Sequence, residues 1–225
     1  MAHMCGRMAI TLPHDAMAQM FEAQPANDLP DVPNYNVCPT TDVHVITHDA
    51  EAGIRRLRPM RWGFIPHWYK TPTDGPLLIN ARSETIAEKP AFRTACRERR
   101  CLVVASGFYE WKRQKGEKPL PWYVTRSDGT PMVFGAIWQV WGKDDPQQTC
   151  AIVTTDANAD MAPIHHRLPL VLNPADWPLW LGENGKGAAS LMQPAADGLL
   201  SFQPVSTAVN SNRATGPDLI APVDR

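Results

Sequence analysis

The chain has 225 residues, enough for one large domain or two small ones around a sizeable core. Charged side chains make up 20% of it and the net charge is −1, which excludes a globally basic nucleic-acid protein and leaves any anionic partner to a local patch. Five cysteines, odd in number and never spaced Cys-x-x-Cys, exclude a disulfide framework and a zinc ribbon and fit a reducing cytoplasm. No metal or cofactor is expected, and the apolar run Pro131 to Gly142 is too short to span a membrane. Eight tryptophans and 22 prolines point to a loop-rich fold with aromatic surface to spare.

Met1-Ala2-His3 reads as an expression leader, so the domain proper is expected to run from 4 to 225. Met4-Cys5-Gly6-Arg7 follows. Removal of Met4 leaves Cys5 with a free α-amine beside its own thiol. The amine titrates near about 8 and the thiol near about 8.5, so both have a reactive fraction at neutral pH. An aldehyde condenses with the amine to a Schiff base, and the sulfur then closes on the imine carbon to give a thiazolidine. An internal cysteine lacks this chemistry because its nitrogen is an amide. The plain structural reading is a small buried cysteine at the start of a first strand.

Pro13 to Ala23 carries Pro at a first-turn position and apolar residues at Ala16, Met17, Met20 and Phe21, which predicts a first helix. A proline-rich connector, Asn27 to Pro33, leads to Tyr35-Asn36-Val37-Cys38-Pro39-Thr40. Val43, Val45 and Thr47 alternate with polar neighbours as a half-buried strand does, and after the turn Asp49 to Gly53 a second strand runs from Ile54 to Trp62. Arg55, Arg56, Arg58 and Arg61 make that strand basic. It enters Trp62-Gly63-Phe64-Ile65-Pro66-His67-Trp68-Tyr69, and cations interleaved with aromatics suit a strand of phosphates carrying unstacked bases. A solvated strand edge with core tryptophans reads the same way.

Leu77 to Thr85 is an apolar run ending in Asn80, Arg82 and Glu84, polar groups at the end of a buried strand. Pro90 to Arg99 is a short cationic helix, and Cys101 to Ala105 a continuous apolar, central strand. In Gly107-Phe108-Tyr109-Glu110-Trp111-Lys112, period-two alternation puts Glu110 on the face of Phe108. A carboxylate on an apolar face has its pKa pushed up, which makes Glu110 a proton-transfer candidate, or else it is one half of an ion pair. Lys112 to Lys118 is a basic hairpin tip, Trp122 to Thr125 a strand, and Ser127-Asp128-Gly129 a turn. Met132 to Trp141 is a long apolar strand or strand pair, Thr149 to Thr155 another strand, and Asp156 to Met161 the cap and start of a short helix.

Ile164-His165-His166-Arg167-Leu168-Pro169 sets two histidines side by side. In extended chain they point opposite ways, so one serves a site and the other faces solvent. Pro174 to Leu181 is a helix and Phe202 to Asn210 a last strand. Many short strands and a few helices in no alternating order predict a single α+β domain: a curved, partly closed, mainly antiparallel, barrel-like sheet with peripheral helices.

Seven motifs in order, spread over nearly the whole chain from Met4, carry a family resemblance. They are Met4-Cys5-Gly6-Arg7, Tyr35-Asn36-Val37 with Pro39, Trp62-Gly63-Phe64-Ile65-Pro66, Ile79-Asn80-Ala81-Arg82-Ser83-Glu84-Thr85, Gly107-Phe108-Tyr109-Glu110-Trp111-Lys112, Ile164-His165-His166-Arg167-Leu168-Pro169 and Pro204-Val205-Ser206-Thr207-Ala208-Val209-Asn210. Together they resemble the signatures of the SOS response-associated peptidase (SRAP) family. The resemblance implies a domain that senses abasic sites in single-stranded DNA and crosslinks to them through a thiazolidine on its amino-terminal cysteine, protecting the strand from cleavage. It also implies autoproteolytic release of the initiator methionine.

Residue by residue, the resemblance implies Cys5 as nucleophile, Asn80 orienting the amine and sugar, Glu110 shuttling protons, and His165 assisting Schiff-base formation and opening of the sugar. Arg7, Arg82 and Arg167 would hold phosphates, Trp62 and Trp68 would line the DNA path, and Asn36 and Thr154 complete the DNA-binding positions. Asn210-Ser211-Asn212-Arg213-Ala214-Thr215 is looser than the family pattern. The expected partner is abasic single-stranded DNA, met by a monomer in the cytoplasm at damaged sites of the nucleoid, with no membrane involved. Two other readings stay open. One is a thiol hydrolase with Cys5 as nucleophile, His165 as base and Asn80 as orienter, which needs only the thiol; the other is a non-covalent single-stranded DNA-binding module.

Overall fold

The computed structural model describes residues 6–224. In chain order these form β1 (Met8–Ile10), α1 (His14–Phe21), β2 (Ala23–Pro25), β3 (Asn34–Val37), β4 (Asp42–Asp49), β5 (Ile54–Trp62), β6 (Asn80–Arg82), α2 (Arg93–Glu98), β7 (Arg100–Ala105), β8 (Gly107–Lys112), β9 (Leu120–Arg126), β10 (Met132–Trp141), β11 (Gln147–Asp156), β12 (Arg167–Pro169), α3 (Trp177–Leu181) and β13 (Leu200–Pro204).

Both edges of β11 are occupied, and that closes the larger sheet. Along one edge β11 pairs antiparallel with β10 and then β12; along the other it pairs in parallel with β5 and then β6. Since β10, β7, β4 and β5 already follow one another by antiparallel pairing, setting Thr149 opposite Arg61 and Cys150 opposite Trp62 turns an open sheet into a ring. Closure removes exposed edges that would otherwise pair with another chain. Ring strands covered on both faces read as unbroken apolar runs, as Cys101 to Ala105 and Cys150 to Val153 do.

A second sheet, in the order β13-β9-β8-β1-β3, is antiparallel throughout. Its inner face contributes Met8, Phe108 and Val124 to the core shared with the ring. On its outer face Ala9, Tyr109 and Tyr123 form a smaller cluster, covered by Val205, Val209 and Leu219 of the carboxy-terminal segment. Alternation along β8 thus separates Phe108 from Tyr109 and Trp111, as the period-two reading expects. Gly107 opens β8 where a Cβ would stand 2.6 Å from the Val124 carbonyl oxygen, so a larger residue would push β9 away.

The single α+β domain with a curled, mainly antiparallel sheet is as expected, and β5 and β10 have the bounds that the apolar pattern predicts. Three local differences have physical causes. Val43 to Thr47 is buried on both faces, because the connector before it covers the second face and its Pro30 carbonyl meets His44 Nε2 at 3.1 Å. Asp156 to Met161 is a turn instead of a helix start: Asn158 Oδ1 takes the Met161 amide at 3.0 Å, a side-chain bond that competes with the helical one. The last strand stops at Pro204, after which Ser206 Oγ accepts from the Ala208 amide and caps a 3-10 turn, Thr207–Asn210.

His44 gives the fold a pH dependence. It is 1% exposed, with the His14 ring centroid 5.0 Å away and its Nδ1 without a partner among the described residues. Burial and the neighbouring His14 hold its pKa down at about 4. An unfolded chain takes up this proton near about 6.5, so the stability from a neutral His44 is fully present above that pH and is lost as pH falls towards 4. Thermal unfolding midpoints are therefore expected to decline over that window, and His44→Gln to flatten the decline; an unchanged slope in the variant would rule out this assignment.

Candidate active site

Strand pairing carries the amino-terminal segment to Glu110. β1 sets Met8 opposite Phe108, and the Tyr109 amide donates to the Arg7 carbonyl at 2.9 Å. That bond carries the pairing one residue before β1, to Arg7 opposite Tyr109, the neighbour of Glu110. Gly6 approaches the start of β6, since a Cβ there would lie 3.6 Å from Ile79 Cδ1. Cys5, the expected nucleophile, lies outside the described residues.

Asn80 opens β6, held in parallel to β11 with Asn80 opposite Ile152. Its Nδ2 is buried and has no hydrogen-bond partner among the described residues. A buried donor left open costs about 1–3 kcal/mol, which makes this amide a candidate to receive an acceptor from a ligand. Glu110 is 4% exposed; its Oε1 accepts from the Trp111 amide at 2.9 Å, and its charge reaches His166.

The two histidines do not point apart. Their backbone turns, the His165 amide donating to the Met161 carbonyl, and the rings stack with centroids 4.4 Å apart at 33°. His165 is half-buried, and burial pulls its pKa below the usual histidine value. The nearby charges of Arg113 and Arg167 act in the same direction. Its Nδ1 accepts from the Arg167 amide at 3.1 Å, so the neutral ring carries its hydrogen on Nε2. His166 is exposed, and desolvation followed by His165, Arg167 and Arg82 lowers its pKa while Glu110 opposes them.

Several residues expected at the DNA surface are spent inside the protein. Arg167 is 5% exposed and is held by carboxylates: Nη1 donates to Glu84 Oε1 at 2.7 Å and Asp156 Oδ1 at 2.6 Å, and Nη2 to Glu84 Oε2 at 2.9 Å. Nη2 also meets the Thr154 carbonyl at 2.8 Å, which ties the end of β6 to β11 and β12. Thr154 is fully buried beneath it. Trp62 is fully buried as well, its Nε1 donating to the Ile79 carbonyl at 3.1 Å, and it has no open face for a base. Arg7 and Asn36 are buried against the carboxy-terminal segment.

Two of the expected DNA contacts do face solvent. Arg82 is exposed beside His166, and Trp68 is 48% exposed, edge-on to His67 and Tyr69. Arg113 joins them, an exposed cation whose charge reaches His165 from the β8–β9 hairpin. Sequence reasoning overlooked it. The basic tip Lys112 to Lys118 was the signal, but only the folded-back hairpin says which cation turns to the histidines.

A single α+β domain with a curled, ring-closed sheet, in which the strand paired to β1 carries a buried glutamate whose charge reaches a turned histidine pair, defines the class of this protein. The profile of the SOS response associated peptidase (SRAP) family matches residues 4–212, and the chain belongs to that family. It is 34% identical over 226 residues to the abasic site processing protein YoqW of Bacillus subtilis (strain 168), covering 96% of this chain and 99% of that protein. Identity to the abasic site processing protein YedK of Escherichia coli (strain K12) is 34% over 232 residues, covering 98% and 100%. The abasic site processing protein HMCES of Pongo abelii is 29% identical over 273 residues, covering 98% of this chain and 77% of that protein. A crystal structure of a protein from Bacteroides thetaiotaomicron has the same fold, with a TM-score of 0.84 at 23% identity over 97% of this chain and all of that one, 100%.

Two measurements check this geometry. Trp62→Leu is expected to lower stability in urea by about 3 kcal/mol, as loss of a fully buried indole does, while the folded variant keeps its affinity for single-stranded DNA. Ring nitrogen–proton correlation spectra are expected to show His165 neutral at pH 7 with its hydrogen on Nε2, titrating below the ordinary histidine range.

Proposed function

We propose that the protein, once its chain begins at Cys5, captures abasic sites in single-stranded DNA as a covalent thiazolidine and so shields the strand from cleavage. The observation that supports the reading is the pairing of β1 with β8, the strand that carries the buried Glu110, which extends back to Arg7 opposite Tyr109. Support also comes from family membership and from relatives named as abasic site processing proteins.

The Cys5 amine nitrogen attacks the C1′ aldehyde of the ring-opened sugar, and the carbinolamine loses water to give an iminium ion. The Cys5 sulfur adds to that carbon and its proton leaves, so the net change is one water released. Removing the imine closes the route to β-elimination. Proton traffic falls to Glu110 in this scheme, because neutral His165 has Nδ1 engaged by the Arg167 amide and presents an N–H at Nε2. That N–H donates to the sugar oxygen, and Asn80 Nδ2 orients the amine or sugar. The same engagement weakens the hydrolase reading, which asks His165 to accept a proton from sulfur. Release of the initiator methionine by the same groups belongs to this proposal.

Recognition rests on a local surface. Arg82 and Arg113 meet phosphates and Trp68 stacks on a flanking base, with no reading of base edges and a marked salt dependence. The reading assigns the protein to the cytoplasm, acting as a monomer at damaged nucleoid DNA. Among the described residues no helix is long and apolar enough to cross a membrane.

Denaturing gels of the chain beginning at Cys5 with an abasic single-stranded oligonucleotide test the proposal. A heat- and detergent-stable adduct is expected, absent in Cys5→Ala and in a sample retaining residues 1–4. Glu110→Gln is expected to slow adduct formation by roughly 10²-fold. Binding without any stable adduct would leave only the non-covalent module standing, and an adduct that survives capping of the amine would move the chemistry to the thiol alone.

A further inference from the structure

The carboxy-terminal segment grips the residues that precede β1 and follow Glu110. Arg7 Nη1 donates to Asn36 Oδ1 at 2.7 Å and to the Val209 carbonyl at 2.8 Å, and Nη2 donates to Asn212 Oδ1. Asn36 is itself held from the same side, its Nδ2 donating to the Ser211 carbonyl at 3.0 Å and the Ala214 carbonyl at 2.7 Å. Trp111, next to Glu110, donates from Nε1 to Asn210 Oδ1 at 2.7 Å, and the Arg7 guanidinium lies 5.9 Å from the Trp111 ring centroid. Two asparagines from one short turn thus hold Arg7, whose carbonyl accepts from the Tyr109 amide, and Trp111; Tyr109 and Trp111 flank Glu110. These acceptors are the loosely patterned Asn210-Ser211-Asn212 of the sequence.

Every acceptor that the segment offers to Arg7 is a neutral oxygen. The guanidinium is therefore clamped without having its charge cancelled, the arrangement expected of a positional anchor and not of an ion pair. Three groups held by one guanidinium also set its orientation, since the fork has fixed geometry. A chain terminus without such contacts is poorly ordered, and a nucleophile on it loses the advantage of a preset approach.

We infer that Asn210 and Asn212 form a positioning strap for the amino-terminal segment: they hold Arg7 and Trp111, and through them fix Gly6 and the strand that carries Glu110 relative to each other. This inference rests on the crosslinking reading. It assigns Arg7 a positioning role in place of a phosphate contact. The strap acts on the rate of capture and leaves the exposed DNA surface at Arg82, Arg113 and Trp68 untouched.

The test separates rate from affinity. With the chain beginning at Cys5, Asn212→Ala and the Asn210→Ala/Asn212→Ala pair are compared with the parent for the rate of adduct formation at saturating abasic oligonucleotide, and for the dissociation constant of an intact oligonucleotide by anisotropy. The double variant is expected to lose roughly tenfold in saturated rate with affinity unchanged. Asn212→Asp keeps an acceptor at the same reach and is expected to recover most of the rate. Amide hydrogen exchange supplies a second reading, independent of chemistry: Gly6 and Arg7 are expected to exchange faster in the double variant while β8 and β9 keep parental protection. Weakened affinity at an unchanged saturated rate would make Arg7 a DNA contact and overturn the inference. So would parental exchange at Gly6 and Arg7, or an Asn212→Asp protein no faster than Asn212→Ala. A parent that forms no adduct removes the crosslinking reading, and the exchange measurement then still decides whether the strap holds the segment.

Discussion

The structure turns on a ten-residue strand with no free edge. β11 meets β10 and β12 on one side and β5 and β6 on the other, and the parallel pairs are the ones that matter for the site. Parallel pairing needs a long crossover, which the chain supplies between β6 and β11 through β7 to β10. The result is that Asn80, delivered by a loop, and the histidine turn before β12 both lie along the end of β11 away from the β5 contact. Ring closure and site assembly are one event.

Buried polar groups then decide what can move. Arg167 sits nearly out of solvent with two exposed carboxylates on its guanidinium, a geometry in which the charge is neutralised where it stands, and its main-chain amide sets the His165 tautomer. Arg7 has the opposite environment, neutral oxygens around an uncancelled charge. Two arginines from two recognisable motifs are therefore buried and spend their donors within the protein. The exposed cations here are Arg82 and Arg113, close to the histidines whose pKa values they help to depress.

A protein of net charge −1 can meet a polyanion on these terms because screening limits the reach of distant charges to about 10 Å, so a few local cations govern the encounter. An abasic site has no base to read. Selectivity in the proposed chemistry comes from the aldehyde itself, which only an amine beside a thiol converts into a closed ring, and the surface needs only to bring the backbone past the chain start.

Much of the architecture was legible in the residues alone. Apolar runs such as Met132 to Ile137 and Cys101 to Ala105 declare strands because burial on both faces demands it, and the motif order from Met4 to Asn210 declares the family. Alternation placed Glu110 with Phe108 because side chains on a strand must alternate. What the residues could not declare depended on partners far along the chain. Trp62 and Trp68 are six apart and chemically alike, yet one is buried in the main core with its indole bonded to the Ile79 carbonyl and the other faces water. The stacked histidines, the carboxylates on Arg167 and the strap on Arg7 follow from contacts 11 to 205 residues apart or from a turn whose bonds outcompete helix. Local sequence determines which surfaces must be buried, whereas only the closed fold decides which polar group each of those surfaces finds opposite.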